Sequence, residues 1–232
     1  MLGLKRPHAK RNRRYLASVT EAPDPELWFA DKEFTSDWLS NKLWPWFSAL
    51  HHLRGRPVKV LDVGSYEGRS AIAFLSYLPQ SHVTCIDTFG LEDVTARHDH
   101  GGTVECRFDR NVSCYGERVT KIRDRAANAL DLLRVSQSMF DVIYLDAGKG
   151  RDWYFALTAL AWPLLRNDGI LIWDDLKWGY DKPSKDRPGD AIRLYHAAYS
   201  SCLDILHEDR QLIARKTQDW PNTIVSRRWP AP

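Results

Sequence analysis

From Lys59 to Asp175 short apolar runs alternate with longer amphipathic segments, and this pattern leaves few folds open. KVLDV, HVTCID, RVTKIR, FDVIYLD and GILIWDD read as strands. GRSAIAFLSYL, GTVECRFDRNVSC, RAANALDLL and WYFALTALAWPLL lie between them and carry helical spacing. Strands separated by single helices predict an α/β fold, a parallel sheet with helices on both faces and right-handed crossovers. Beyond Asp175 the pattern changes. KWGYDKPSKDRPG is a polar, aromatic loop, and GDAIRLYHAAY is a helix with Pro188 near its start. LDILHED and QLIARKT face each other across a tight turn, as an antiparallel hairpin does.

A chain of 232 residues suits one domain, placed here at 26–217. Residues 1–25 form a basic arm expected to be disordered, and 218–232 a tail with Trp220, Pro221, Trp229 and Pro230. FTSDWLSNKLWPWFSALHHL, from Phe34, predicts a helical cover with a cap at Thr35 or Ser36 and a break or kink at Pro45. Trp44 and Trp46 are expected to pack that cover on the domain. No apolar run approaches the ~20 residues of a membrane helix, and no apolar stretch follows the basic N-terminus as in a secretory signal. Cys85, Cys106, Cys114 and Cys202 show no CxxC or metal spacing, so reduced thiols and a cytoplasmic location are expected. The net charge of +3 is mild, and much of it lies in KRPHAKRNRR. That arm reads as a solvated tail, with contact to RNA or an anionic surface as the alternative.

VKVLDVGSYEGRS, Val58 to Ser70, places a glycine turn between a strand and a helix. A phosphate loop needs GxxxxGK before Ser or Thr; here Gly64 to Gly68 is one residue too short and Arg69 replaces the lysine. A dinucleotide turn needs GxGxxG, and its second glycine is absent. S-adenosylmethionine needs neither phosphate pattern. A strand bearing Asp62 and a glycine turn let backbone approach its methionine part. Asp87, ending the next strand, stands where a ribose-binding acid usually does. Asp124 and Arg125, after the third strand, are in place to reach the adenine.

Taken together, LDVGSYEGRS, CIDTF, FDVIYLDAGKG and AWPLLRNDGILIWDD resemble, in order and spacing, the class I S-adenosylmethionine-dependent methyltransferases over roughly 34–216. The preceding FTSDW and the late WDDLKW resemble a poorly characterised bacterial group of these enzymes. The resemblance implies a Rossmann-like methyltransferase fold of seven strands, the last antiparallel. It implies cofactor contacts from Asp62, Gly64, Ser65, Tyr66, Glu67, Gly68, Ser70, Asp87, Thr88, Asp124, Arg125 and Asp146. LDAGKGRDWY is also similar to the corresponding stretch of catechol and caffeoyl-coenzyme A O-methyltransferases. That likeness implies Mg2+ or another divalent cation on Asp146, Asp174 and Asp175, with Asp146 and Lys149 catalytic. Lys149 as base would need a depressed pKa. Asp175 stands where those enzymes carry asparagine, and Gly148 and Gly150 are expected to loosen the loop. The other reading has Asp146 orienting the cofactor's ammonium, Asp174 and Asp175 capping the sheet, and Lys149 as a surface charge.

Trp178 and Tyr180, in the polar loop, are candidate walls for a planar or apolar acceptor. Arg97–His100, RHDH, reads as a polar lid loop rather than a metal site. The first functional reading is O-methylation of a small molecule, with divalent-metal assistance. An RNA or protein methyltransferase guided by the arm is the second, disfavoured by the lack of an NPPY-like motif. A non-catalytic cofactor-binding domain is the third. A homodimer is left open.

Overall fold

The computed structural model describes residues 23–90 and 103–219. Strands β1 (Val58–Val63), β2 (Ser81–Asp87), β3 (Val119–Arg123), β4 (Phe140–Leu145), β5 (Leu165–Trp173), β6 (Leu203–Glu208) and β7 (Leu212–Lys216) form one sheet. Its order is β3-β2-β1-β4-β5-β7-β6. β7 runs antiparallel to both β5 and β6 and the other pairs are parallel, as the terminal hairpin predicts.

Each central strand is apolar on both faces, as a doubly covered parallel sheet requires. Val60, Val142, Tyr144, Ile170 and Ile172 join one core. Leu61, Val63, Ile143, Leu145, Leu171 and Trp173 join the other. In chain order the helices are α1 (Pro25–Phe29), α2 (Trp44–Leu50), α3 (Arg69–Tyr77), α4 (Thr103–Val112), α5 (Ala126–Val135), α6 (Arg151–Ala161) and α7 (Pro188–Tyr199). Side chains of α2, α3 and α4 fill the first core, and those of α5, α6 and α7 the second.

The N-terminal cover departs from the expected helix. Residues 34–39 are irregular, Ser40–Lys42 make a single 3-10 turn, and only Trp44–Leu50 are α-helical. Pro45 does not break this helix; it sits in the first turn, the one place where a missing N–H costs no bond. Nor does Thr35 cap a helix, because its hydroxyl and amide are both spent on Glu67. Trp46 is buried, stacks on Phe74 with centroids 4.5 Å apart and donates to Gln211 Oε1 at 2.8 Å. Trp44 is half exposed against Phe47. A short helix that the sequence reading missed, α1, begins inside the stretch assigned to the arm, capped by Asp24 on the Glu26 amide.

The topology lines up the carboxyl ends of β2, β1, β4 and β5. The ladder runs one residue past the strands: Asp146 donates to the Val63 carbonyl at 2.9 Å, Asp174 to Leu145 at 3.0 Å and Asp124 to Asp87 at 3.1 Å. The acids that follow the strands are thereby fixed by backbone bonds. Gly64 passes directly beneath this edge. At φ +93° a Cβ there would stand 2.3 Å from the Asp146 carbonyl oxygen. Gly64→Ala should therefore lower the unfolding free energy by roughly 3 kcal/mol or more. Gly55 shares the positive φ, +83°, but has open space around it. Gly55→Ala should cost only about 1 kcal/mol, so urea unfolding of the pair separates collision from backbone strain.

Candidate active site

The loop after β1 is held from below and behind. Ser65 Oγ donates to the Asp62 carbonyl at 3.0 Å, and Ser70 Oγ to Asp62 Oδ2 at 2.7 Å. Gly68 begins α3 in the left-handed region. Tyr66, also at positive φ, donates its amide to Asp87 Oδ2 at 2.9 Å. The other Asp87 oxygen accepts from Phe89 N at 2.9 Å, and Thr88 bonds the same carboxylate. Asp62 and Asp87 thus stand at neighbouring strand ends, as the sequence predicts. Asp124 Oδ1 accepts from the Arg125 amide and from Asn128, just before α5, while its own amide extends the β2–β3 ladder.

Asp62 is fully buried, and among the described residues its Oδ1 has no hydrogen-bond partner. Burial pushes its pKa up to about 7; the Asp87 charge adds to this, and the Ser70 and Ser65 hydroxyls oppose it. An orphaned carboxylate oxygen under a glycine turn fits a cationic ligand group. A cleft adjoins this turn, walled by Gly64, Tyr66 and Asp146 on one side and Phe34, Trp38 and Leu39 on the other. S-adenosylmethionine, with its ammonium and ribose diol, fits these residues.

Glu67 does not face this cleft as a free acid. It is 1% exposed, and its carboxylate accepts from Thr35 N at 2.7 Å, Thr35 Oγ1 at 2.9 Å and Arg107 at 3.0 Å. It fastens the N-terminal segment and α4 to the loop. Asn111 joins the same stitch, bonding the carbonyls of Glu33 and Glu67. Arg69, which stands where a phosphate loop has lysine, lies over Phe34 and Phe29 and pairs with Asp37. Sequence reasoning missed Arg107, Asn111 and these roles; the FTSDW motif was the available signal that the segment belongs to the site.

At the ends of β4 and β5, Asp146, Asp174 and Asp175 each offer an oxygen, all within 4.8 Å of one another. Asp146 and Asp175 both pair with Lys149, the former at 3.1 Å. Tyr144 donates to Asp174 at 2.7 Å and to Asp146 at 3.2 Å. Lys42, on the N-terminal 3-10 turn, pairs with buried Asp174; no sequence motif pointed to it. The predicted acids converge, and an all-oxygen donor set of three carboxylates fits a hard divalent cation. Burial, first, raises the Asp146 pKa to about 7, with the Asp174 and Asp175 charges adding and Lys149 opposing.

Burial works to lower the Lys149 pKa, but the carboxylates of Asp146 and Asp175 outweigh it and the net shift is upward, opposite to what a base needs. Gly148 does not loosen the loop: with φ +74°, a Cβ there would stand 2.6 Å from Trp153 Nε1, so the turn is packed tight on that indole. Trp178 and Tyr180 are exposed at 36% and 52% and are not among the residues that wall the cleft. The Lys182 and Lys149 ammoniums lie 4.5 and 5.7 Å from the Trp178 ring, and Arg193 donates to Tyr180 Oη. The basic arm, the RHDH loop and the tryptophans of the tail lie outside the described residues. No helix among the described residues is long and apolar enough to cross a membrane.

The profile of a family described as a methyltransferase domain matches residues 61–176, half of the chain. No curated protein matches the sequence. Among solved structures, the MycE methyltransferase of the mycinamycin biosynthetic pathway, determined with Mg and S-adenosylhomocysteine (SAH), is 15% identical with a TM-score of 0.58. The match covers 85% of this chain but spans only 56% of MycE. SAH-bound PaMTH1 from Podospora anserina is 19% identical, TM-score 0.59, over 94% of this chain and 99% of that one. The Bacillus cereus O-methyltransferase with SAH is 15% identical, TM-score 0.59, over 88% and 96%. At such identities the likeness shows the fold.

Asp62 gives the site a pH signature. Its folded pKa lies above the unfolded value of 3.8. The stability linked to it is therefore present below pH 3.8 and lost as pH rises to about 7. The unfolding free energy of Asp62→Asn relative to wild type should improve by roughly 4 kcal/mol across that window. Urea denaturation at a series of pH values checks this; a pH-independent difference would contradict it.

Proposed function

The chain belongs to the S-adenosylmethionine-dependent methyltransferase family, and we propose that it methylates a hydroxyl oxygen of a small molecule with the help of a divalent cation. The observation that carries this reading is the convergence of Asp146, Asp174, Asp175 and Lys149 beside the cleft that Gly64 and Tyr66 wall.

S-adenosylmethionine supplies the methyl group on a cationic sulfur. Asp62 offers its orphaned oxygen to the ammonium, and the absence of a side chain at Gly64 leaves room for the methionine part. Asp87 already accepts from the Tyr66, Phe89 and Thr88 amides and from the Thr88 hydroxyl, and a ribose hydroxyl would take the place of that hydroxyl. Thr88 and Ser70 hold the two acids in place, and Asp124 and Arg125 would reach the adenine. Phe34 and Trp38 wall the cleft from the other side, which keeps water from the reacting atoms.

A divalent cation held by Asp146, Asp174 and Asp175 would favour the deprotonated acceptor oxygen. Lys149, beside Asp146 and Asp175, is the base in this reading: its Nζ would give its own proton to solvent and then take that of the acceptor hydroxyl. Trp178 and Tyr180 offer flat apolar surface to the acceptor's body. Methyl transfer is an in-line displacement, so orientation supplies most of the acceleration.

Methyl transfer from methyl-tritiated S-adenosylmethionine to a panel of small hydroxylated acceptors, with RNA alongside, tests the reading. Small-molecule products are expected, EDTA should abolish them and Mg2+ should restore them. Asp146→Ala should remove turnover, and Lys149→Met should lower kcat about 100-fold or more at unchanged cofactor KM. Activity that survives EDTA removes the metal, and label found only in RNA removes the small molecule.

A further inference from the structure

Lys42 lies far in sequence from the motifs that build the site. It ends the 3-10 turn before α2, yet its ammonium sits on Asp174 beyond β5. The pair is enclosed: Lys42 is 14% exposed and Asp174 1%. Tyr144 donates to the same oxygen, Oδ2, at 2.7 Å, while Oδ1 takes the Asp175 amide at 2.7 Å. A carboxylate oxygen accepts about two hydrogen bonds. Asp174 therefore has its inner oxygen filled by Lys42 and Tyr144.

The charges point the same way. With all three acids ionised, three carboxylates face two ammoniums, those of Lys42 and Lys149, and the cluster keeps one net negative charge. A divalent ion added beside both ammoniums would make the cluster net positive, which repulsion disfavours. Withdrawing one ammonium makes it neutral. Lys149 belongs to the same loop as Asp146 and bridges it to Asp175, whereas Lys42 reaches in from a separate segment and holds a single carboxylate.

We propose that Lys42 is the resident counter-ion of this cluster and competes with the divalent cation for Asp174. Metal entry withdraws it, and so loosens the turn that joins the cleft wall of Phe34, Trp38 and Leu39 to α2. Lys42 thereby sets the metal affinity and couples it to the N-terminal cover. The inference rests on the metal-assisted reading above.

Mn2+ binding to the full chain, followed by the electron paramagnetic resonance of free Mn2+ without cofactor or acceptor, tests it. Lys42→Met should bind on the order of tenfold tighter than wild type, and Lys42→Arg like wild type. Asp174→Asn should weaken binding in either background. Hydrogen exchange on wild type gives a second readout should Lys42→Met fail to fold: amides of 39–43 should exchange faster when Mg2+ is added. Equal affinity of wild type and Lys42→Met, or exchange at 39–43 unchanged by saturating Mg2+, overturns the competition. Absence of Mn2+ binding in every form removes the metal site, and this inference with it.

Discussion

The contact on which the site depends is between backbone and backbone: Gly64 lies against the Asp146 carbonyl with no room for a Cβ between them. It brings the turn after β1 and the loop after β4 to one point. The first carries Asp62 below it and Tyr66 beside it; the second carries Asp146 and Lys149. A methyl donor held by one loop can meet an acceptor held by the other only if the two are this close. The parallel order β2-β1-β4-β5 makes the approach, because it puts the four carboxyl ends side by side. The single-residue extensions of the ladder at Asp146 and Asp174 then fix the acids by main-chain bonds.

That edge concentrates buried charge, which folding alone would avoid. The protein answers in three ways. Glu67 is saturated by Thr35 and Arg107 and serves as a rivet. Asp174, Asp146 and Asp175 are held by Lys42, Lys149 and Tyr144, so the cluster stays together without an added ion. Asp62 is left with one oxygen unserved. Only this last arrangement costs stability with no internal return, and that is why it reads as a place kept for a ligand.

The sheet was legible because its signal is local and periodic. Apolar runs of strand length, each followed by a helix pattern, permit little besides a parallel sheet, and the acids at their ends follow directly. Asp62, Asp87, Asp146, Asp174 and Asp175 could be placed at one edge from order alone. The N-terminal cover was not legible, because its conformation is set by partners distant in sequence. Thr35 looks like a helix cap until Glu67 and Arg107 are seen to claim it. Pro45 looks like a breaker until the helix starts one residue before it. Side-chain partners were hidden too: Glu67 stands inside the cofactor motif, but its carboxylate is spent on Thr35 and Arg107. The sign of the Lys149 shift needed the distances to two carboxylates, which no motif supplies.

These residues are proposed to hold one S-adenosylmethionine, with Asp62 and Asp87 as its acidic anchors. Isothermal titration of the purified chain with SAH addresses it without knowledge of acceptor or metal. The account predicts one site per chain with a micromolar Kd, lost in Asp87→Ala. It also predicts proton release on binding below pH 7, as Asp62 ionises toward the ammonium. Absence of binding, or binding that Asp87→Ala leaves unchanged, would contradict it.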